Sequence, residues 1–187
     1  MIVLEGKYPI PQGLSGTPTS FFAWLRVETF EPNGDKNWRF PALIACGHSD
    51  WSFGIVRHGS DSTKGDLKFY NYDVGSQQVV NYAYNADTLS ANTWYYVGFT
   101  HSGTTDEGNL KIYVDGVLEE TASIGGTTGQ GGSAQNTISI GAMPHEGFDA
   151  KTASPSYEIH AYMNDVVVYS RLVDASVVPT CSGFASR

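Results

Sequence analysis

The chain has 187 residues, a length that predicts a single domain over residues 1–187 with a C-terminal tail at 179–187. Its formal net charge is −8 and it has no run of Lys or Arg, which argues against nucleic acid or an anionic membrane as a partner. No stretch reaches the ~18 apolar residues of a membrane span and no basic region precedes an apolar core at the N-terminus, so neither membrane insertion nor a signal peptide is expected.

Short alternating or apolar segments recur along the chain, separated by clusters of Gly, Asn, Asp and Ser, and this pattern predicts β-strands. Strands are predicted near residues 2–5, 20–28, 41–46, 51–57, 66–74, 79–84, 94–102, 109–115, 117–124, 136–142 and 157–170, the last broken around Ala161. One short helical turn is predicted within 170–178. The sequence therefore predicts an all-β fold, a two-sheet antiparallel β-sandwich.

The segment NLKIYVDGVLEE, residues 109–120, contains the clearest local signal. A type I′ turn needs positive φ at both central residues, and the Asp115-Gly116 step between two apolar runs tolerates it. A β-hairpin over 109–124 is therefore predicted. Glu119 and Glu120 are neighbours on one predicted strand, so their side chains point to opposite faces and do not form a catalytic acid pair.

The two cysteines do not form a disulfide framework. Cys46 follows the apolar run PALIA and is predicted to be a buried core thiol, whereas Cys181 lies in the polar tail. A disulfide between Cys46 and Cys181 stays open as the alternative.

Four tyrosines on two consecutive predicted strands give the strongest indication of binding. They are Tyr70 and Tyr72 on the first strand, and Tyr82 and Tyr84 on the second. A four-residue loop at 75–78 would put the two pairs on opposite faces of the sheet, whereas a three-residue loop at 75–77 would gather all four, with Tyr70 opposite Tyr82. The register of this hairpin decides between the two arrangements.

A gathered tyrosine face would suit a sugar, because the apolar faces of sugar rings stack on aromatic side chains while amides bind hydroxyls. Asn71 and Asn81 supply such amides, and Trp38 and Trp51 lie in or beside neighbouring loops. These eight residues are the candidate glycan-binding set. The alternative is that the tyrosines cover the core of the sandwich.

Four segments in order carry a resemblance to a known family. They are SFFAWLRVE (20–28), NTWYYVGFTHSG (92–103), NLKIYVDGVLEETA (109–122) and YMNDVVVYSRLVDASVV (162–178). Together they resemble the laminin G-like, concanavalin A-like jelly roll, over most of the chain from about residue 20. The resemblance implies structural roles for Trp24, Trp94, Tyr113, Gly116, Asp165, Tyr169 and Arg171.

The resemblance also implies where calcium could bind, because related domains often hold it with a few Asp side chains at one rim of the sandwich. The candidates are Glu146 and Asp149 in PHEGFDAK, joined by Asp50 or Asp106 from other loops. A hydrated acidic loop is the alternative, and no cofactor is required.

Members of the family include lectins, adhesion modules, domains of glycan-active enzymes and pieces of phage virions, so the fold alone does not settle the function. Glucanases of this fold carry carboxylates at alternate positions of one strand, and no two of the 19 acidic residues here stand at i and i+2. No catalytic residue is predicted.

We expect a non-catalytic binding or adhesion module for a glycan or a protein surface, displayed on a phage virion or extracellularly. A capsid-stabilising protein, a glycan-active enzyme or its accessory domain, and assembly into homo-oligomers or virions stay open.

Overall fold

The computed structural model describes residues 2–4, 18–32, 40–46, 51–73, 78–83, 89–124, 138–143 and 156–173. Its strands are β1 (Ile2–Leu4), β2 (Thr19–Val27), β3 (Ala42–Cys46), β4 (Trp51–His58), β5 (Asp61–Asp73), β6 (Gln78–Ala83), β7 (Leu89–Ser90), β8 (Trp94–His101), β9 (Leu110–Val114), β10 (Val117–Ala122), β11 (Ile138–Ile140), β12 (Ala142–Met143), β13 (Ser156–Glu158) and β14 (Ala161–Tyr169).

Two sheets make up the sandwich, and every pairing between strands is antiparallel. The seven-stranded sheet has the order β1-β11-β3-β4-β5-β6, with β7 pairing to β5. The five-stranded sheet has the order β10-β9-β8-β2-β14, and β12 pairs with β13 beside them. The predicted antiparallel β-sandwich is confirmed.

The strand predictions differ from the structure mainly at three places. β5 begins at Asp61, five residues before its predicted start, because it forms a tight hairpin with β4. The segment 136–142 breaks into β11 and β12 at Gly141, whose φ is 84°. The short strand β7 was not predicted, since two residues carry no detectable period.

Aromatic side chains from both sheets interlock in the core between them. Phe99 of β8 lies 5.0 Å from Phe69 of β5 and 5.3 Å from Phe53 of β4, measured between ring centroids. Phe21 of β2 lies 5.9 Å from Phe53. All four side chains are fully buried, so these edge-to-face and tilted contacts join the two sheets.

The β9–β10 hairpin has the predicted turn. Asp115 and Gly116 have φ values of 51° and 80°, and Val114 pairs with Val117 across the turn. The Asp115 backbone amide also donates to the Tyr96 carbonyl, and the Tyr96 amide donates to Asp115 Oδ1. The predicted hairpin is therefore confirmed, and its turn is hydrogen-bonded to β8.

The described residues contain no helix, and therefore none long and apolar enough to cross a membrane. Residues 170–173 follow β14 without helical structure, and the rest of the segment in which a helical turn was predicted lies outside the described residues. Cys46 is buried in the core as predicted, while Cys181 lies outside the described residues.

Candidate functional site

The β5–β6 hairpin does not gather the four tyrosines on one face. Asp73 pairs with Gln78, so Tyr70 pairs with Asn81 and Phe69 pairs with Tyr82. Paired positions share a face and adjacent positions alternate, so Tyr70 and Tyr82 occupy opposite faces of the sheet. The registers predicted for the loops 75–77 and 75–78 are therefore both wrong, while the opposite-face arrangement of Tyr70 and Tyr82 that the longer loop implied is found.

Three of the eight candidate glycan-binding residues are buried, which corrects the expectation that they form a surface. Tyr70 is 2% exposed and packs in a small second cluster with Phe40 and Val56, on the side of the sheet away from the main core. Trp51 stacks on Phe69 at 6.2 Å, and Asn71, opposite it, is fully buried.

The other five candidates are not described in full. The side chains of Tyr72, Asn81 and Tyr82 are not described, although their strand positions are. Tyr84 and Trp38 lie outside the described residues.

The calcium candidates are not brought together in the described part of the chain. Asp106 is exposed in the loop between β8 and β9, where its backbone amide donates to Thr104 Oγ1. Within the described ranges there is no group of three His, Cys, Asp or Glu residues that could hold a metal ion. Asp50, Glu146 and Asp149 lie outside those ranges.

A better candidate surface lies on the outer face of the five-stranded sheet. In β2, Phe21, Ala23 and Leu25 point into the core, so the alternate side chains of Phe22 and Trp24 point outward. The strand registers extend this surface onto both neighbouring strands and β9. We call it the aromatic face, and it consists of Phe22, Trp24, Trp94, Tyr96, Tyr113 and Tyr162.

The rings of the aromatic face contact one another across strands. Tyr96 lies 5.7 Å from Phe22 with parallel ring planes and 5.4 Å from Trp24 edge to face. Tyr113 lies 6.0 Å from Phe22. These contacts order the rings at the centre of the aromatic face, where Phe22 and Tyr96 are themselves buried.

Gly98 makes room for the centre of the aromatic face. A Cβ placed on Gly98 would lie 2.2 Å from the Phe22 ring and 2.3 Å from the Phe21 carbonyl oxygen. Because the carbonyl belongs to the backbone, it cannot move aside at low cost. Gly98 therefore lets Phe22 lie flat over β8, where its ring reaches both Tyr96 and Tyr113.

One end of the aromatic face is open to solvent. Trp94 is 37% exposed and Tyr162 is 52% exposed, and Arg26 pairs with both of them across neighbouring strands. The Arg26 guanidinium lies 5.5 Å from the centroid of the Tyr162 ring, a cation–π contact. This end therefore presents two aromatic side chains on either side of a planar hydrogen-bond donor.

The other end of the aromatic face leads into a groove of about 400 Å³. Its floor is formed by Thr100 of β8 with Lys111 and Tyr113 of β9, and its wall by Leu172 and Val173, which follow β14. The remaining lining residues belong to the β8–β9 loop and its end, Ser102, Gly108 and Asn109.

The wall of the groove is held by Ser20, which is fully buried in β2. Its hydroxyl donates to the Arg171 carbonyl at 2.8 Å and accepts from the Val173 amide at 3.1 Å. The chain after β14 is thereby fixed across the outer face of β2. Hydrogen bonds to a buried side chain therefore hold the segment that forms the wall of the groove.

Most residues of this surface were assigned other roles, or none, from the sequence. The resemblance implied structural roles for Trp24, Trp94 and Tyr113, whereas the structure places them on an outer face. Arg26 and Lys111 were not singled out. The alternation in SFFAWLRVE, which puts Trp24 and Arg26 on one face of a strand, is the signal that could have found this surface.

Comparison with known proteins assigns the chain to a family. A family model described as the Concanavalin A-like lectin/glucanases superfamily matches residues 8–178. Botulinum neurotoxin type C from Clostridium botulinum C phage is 30% identical over 129 residues, which cover 68% of this chain. The chain spans only 9% of the length of that relative.

Two solved structures share the fold at low sequence identity. A protein of Bacteroides ovatus described as a putative carbohydrate binding protein has a TM-score of 0.62 and 19% identity, over 93% of this chain and 42% of that one. The CBM40 of a Ruminococcus gnavus IT-sialidase, solved with alpha2,3 sialyllactose, has a TM-score of 0.58 and 8% identity, over 87% and 81%. The chain belongs to the concanavalin A-like lectin/glucanase superfamily.

Proposed function

We propose that the chain is a non-catalytic glycan-binding module and that the aromatic face is its binding surface. The observation that carries the proposal is the solvent-exposed end of that face, where Trp94 and Tyr162 lie on either side of Arg26. Sugar rings present apolar C–H faces that stack on such aromatics, and their hydroxyls accept hydrogen bonds from a guanidinium.

The comparisons support a binding role. Two of the solved structures that share the fold are described as a putative carbohydrate binding protein and as a CBM40 bound to alpha2,3 sialyllactose. We further propose that the chain acts outside the cell or on a virion, as an adhesion component, with a glycan or a protein surface as its partner. If the chain is instead an accessory domain of a glycan-active enzyme, the aromatic face would be the surface that binds the glycan.

Replacing the exposed aromatics tests this proposal. We expect Trp94→Ala and Tyr162→Ala each to weaken glycan binding about 3- to 10-fold, because each removes one stacking surface. The measurement is a glycan array with the unmodified chain, followed by titration calorimetry of each variant with the best ligand. Arrays run with calcium and with a chelator test whether the rim carboxylates contribute.

The matched control is Val117→Ala, since Val117 is also exposed but lies at the tip of the β9–β10 hairpin. Its affinity should equal that of the unmodified chain. Equal binding by the Trp94 and Tyr162 variants would remove the aromatic face from the proposal. Failure of the unmodified chain to bind any glycan would reject the function itself.

A second candidate function is assembly into homo-oligomers or a virion. β10 is an edge strand of the five-stranded sheet, and Val117 and Leu118 on it are 57% and 46% exposed. Exposed apolar side chains on an edge strand favour pairing with another chain.

Substitution on β10 tests assembly. The unmodified chain should show an oligomeric mass in light scattering after gel filtration, and Leu118→Lys should shift that mass to the monomer, because it replaces an exposed apolar side chain of the edge strand by a charge. Thr121→Lys, on the same strand but without loss of an apolar side chain, is the control and should shift the mass less. A monomeric unmodified chain at all concentrations contradicts assembly through β10.

A further inference from the structure

The groove beside Tyr113 has the size and the lining of a small-ligand site. Its volume of about 400 Å³ falls within the ~300–1,000 Å³ of such sites. One side is apolar, with Leu172 53% exposed and the ring of Tyr113 on the floor. Polar groups also line it, since Thr100 and Ser102 carry hydroxyl groups. The groove therefore offers both apolar contacts and hydroxyl groups, the two kinds of contact that a sugar ring makes.

Lys111 adds a positive charge to this groove. It is exposed on the floor, paired with Thr100 on one side and Thr121 on the other. Within the described part of the chain, Lys111 makes no hydrogen bond, ion pair or cation–π contact. Glu120, which precedes the strand partner Thr121 on β10, accepts a hydrogen bond from the Thr121 amide.

The charge of Lys111 contrasts with the charge of the chain. The whole protein carries 19 acidic residues against 11 Lys and Arg. The paired outward positions of the five-stranded sheet, as far as its strands are described, include Arg26 and Lys111, whereas the carboxylates Glu119 and Asp165 lie at the bulges of β10 and β14. Among the residues that line the groove, Lys111 is the charged one, so a ligand with a negative charge would pair with it there.

We propose that this groove binds an acidic sugar unit, with the Lys111 ammonium group pairing with the carboxylate or sulfate of the sugar. The sugar ring lies between Leu172 and Tyr113, and its hydroxyl groups contact Thr100. The inference rests on the proposed glycan-binding function and adds the chemical class of the ligand. A free inorganic anion fits less well, because it would leave the apolar wall without a partner.

The test compares three oligosaccharides of the same length: a neutral one, one ending in a hexuronic acid and one carrying a sulfate. The unmodified chain should bind at least one acidic oligosaccharide ~10-fold more tightly than the neutral one, and this preference should shrink at high salt. Lys111→Met, which keeps most of the side-chain length, should abolish the preference and leave neutral binding within ~2-fold. Lys111→Arg should keep it.

Lys64→Met is the matched control, since Lys64 lies on the seven-stranded sheet and contacts Ser90 there. It should leave all three affinities unchanged. Preference for the uronic acid alone or the sulfate alone identifies the source of the charge and supports the proposal. Equal binding of neutral and acidic sugars by the unmodified chain overturns the acidic ligand and leaves the glycan-binding function intact. Absence of binding to all three, with no array signal, overturns both.

Discussion

Asn109→Ala should lower the free energy of unfolding by about 3 kcal/mol, at ~1 kcal/mol for each of three lost hydrogen bonds. Asn109 is 4% exposed at the start of β9. Its Nδ2 donates to the carbonyls of Thr104 and Ile124, both at 2.8 Å, and its Oδ1 accepts from the Ile124 amide at 2.7 Å. Alanine would leave those backbone groups without their partners.

Urea unfolding followed by tryptophan fluorescence measures this loss. Thr104→Ala is the control, because it removes only an exposed hydroxyl–hydroxyl contact with Ser102 and a weak acceptor for the Asp106 amide. We expect its effect to stay below ~1 kcal/mol. If Asn109→Ala were no less stable than Thr104→Ala, the side chain would not be what holds the β8–β9 loop.

The stability of the fold should fall as the pH decreases from about 6.5 to about 4, by about 3 kcal/mol in total from His101 alone. Burial lowers the pKa of His101 from its ordinary 6.5 to about 4 in the folded chain. Between these two values the unfolded chain binds a proton that the folded chain does not, so acid favours unfolding. Above 6.5 the contribution is fully present.

The hydrogen bonding of His101 agrees with this direction. The Gly103 amide donates to His101 Nδ1 at 3.0 Å, so this nitrogen is an acceptor and the neutral ring carries its proton on Nε2. Protonation of Nδ1 removes the acceptor.

A non-titrating substitution isolates the contribution of His101. His101→Asn should flatten the pH dependence of unfolding over this range, relative to the unmodified chain, while His160→Asn, at an exposed position, should not. Chemical unfolding at a series of pH values measures both. Parallel stability curves for His101→Asn and the unmodified chain would contradict the lowered pKa.

Local chemistry is what made the fold predictable from sequence. Few residue pairs tolerate positive φ at both central positions of a turn, and Asp115-Gly116 is one of them. The β9–β10 hairpin could therefore be predicted from these two residues and the apolar runs beside them. The break before Ala161 and the strand β2 also followed from short segments of the sequence, a few residues long.

The candidate site was less predictable, because which face of a strand is covered depends on distant residues. Tyr70 is buried because Phe40 packs on the outer side of the seven-stranded sheet, and nothing near Tyr70 in the sequence shows this. The groove depends on the contact between Ser20 and Val173, which no local pattern encodes. The sequence therefore predicted an aromatic surface on the seven-stranded sheet, whereas Trp94 and Tyr162, the exposed aromatic residues of the proposed site, lie on the five-stranded sheet.

The hydrogen bonds of Ser20 join residues 151 and 153 positions apart. Pairing of β14 with β2 closes this long loop first, because Tyr169 already lies opposite Ser20, and the Ser20 hydrogen bonds can then form at little further entropic cost. The wall of the groove should therefore close after β14 has paired with β2 at the edge of the five-stranded sheet. A ligand that binds there would report the completion of folding, and in a refolding experiment its binding signal should lag behind the burial of the core tryptophan, Trp51.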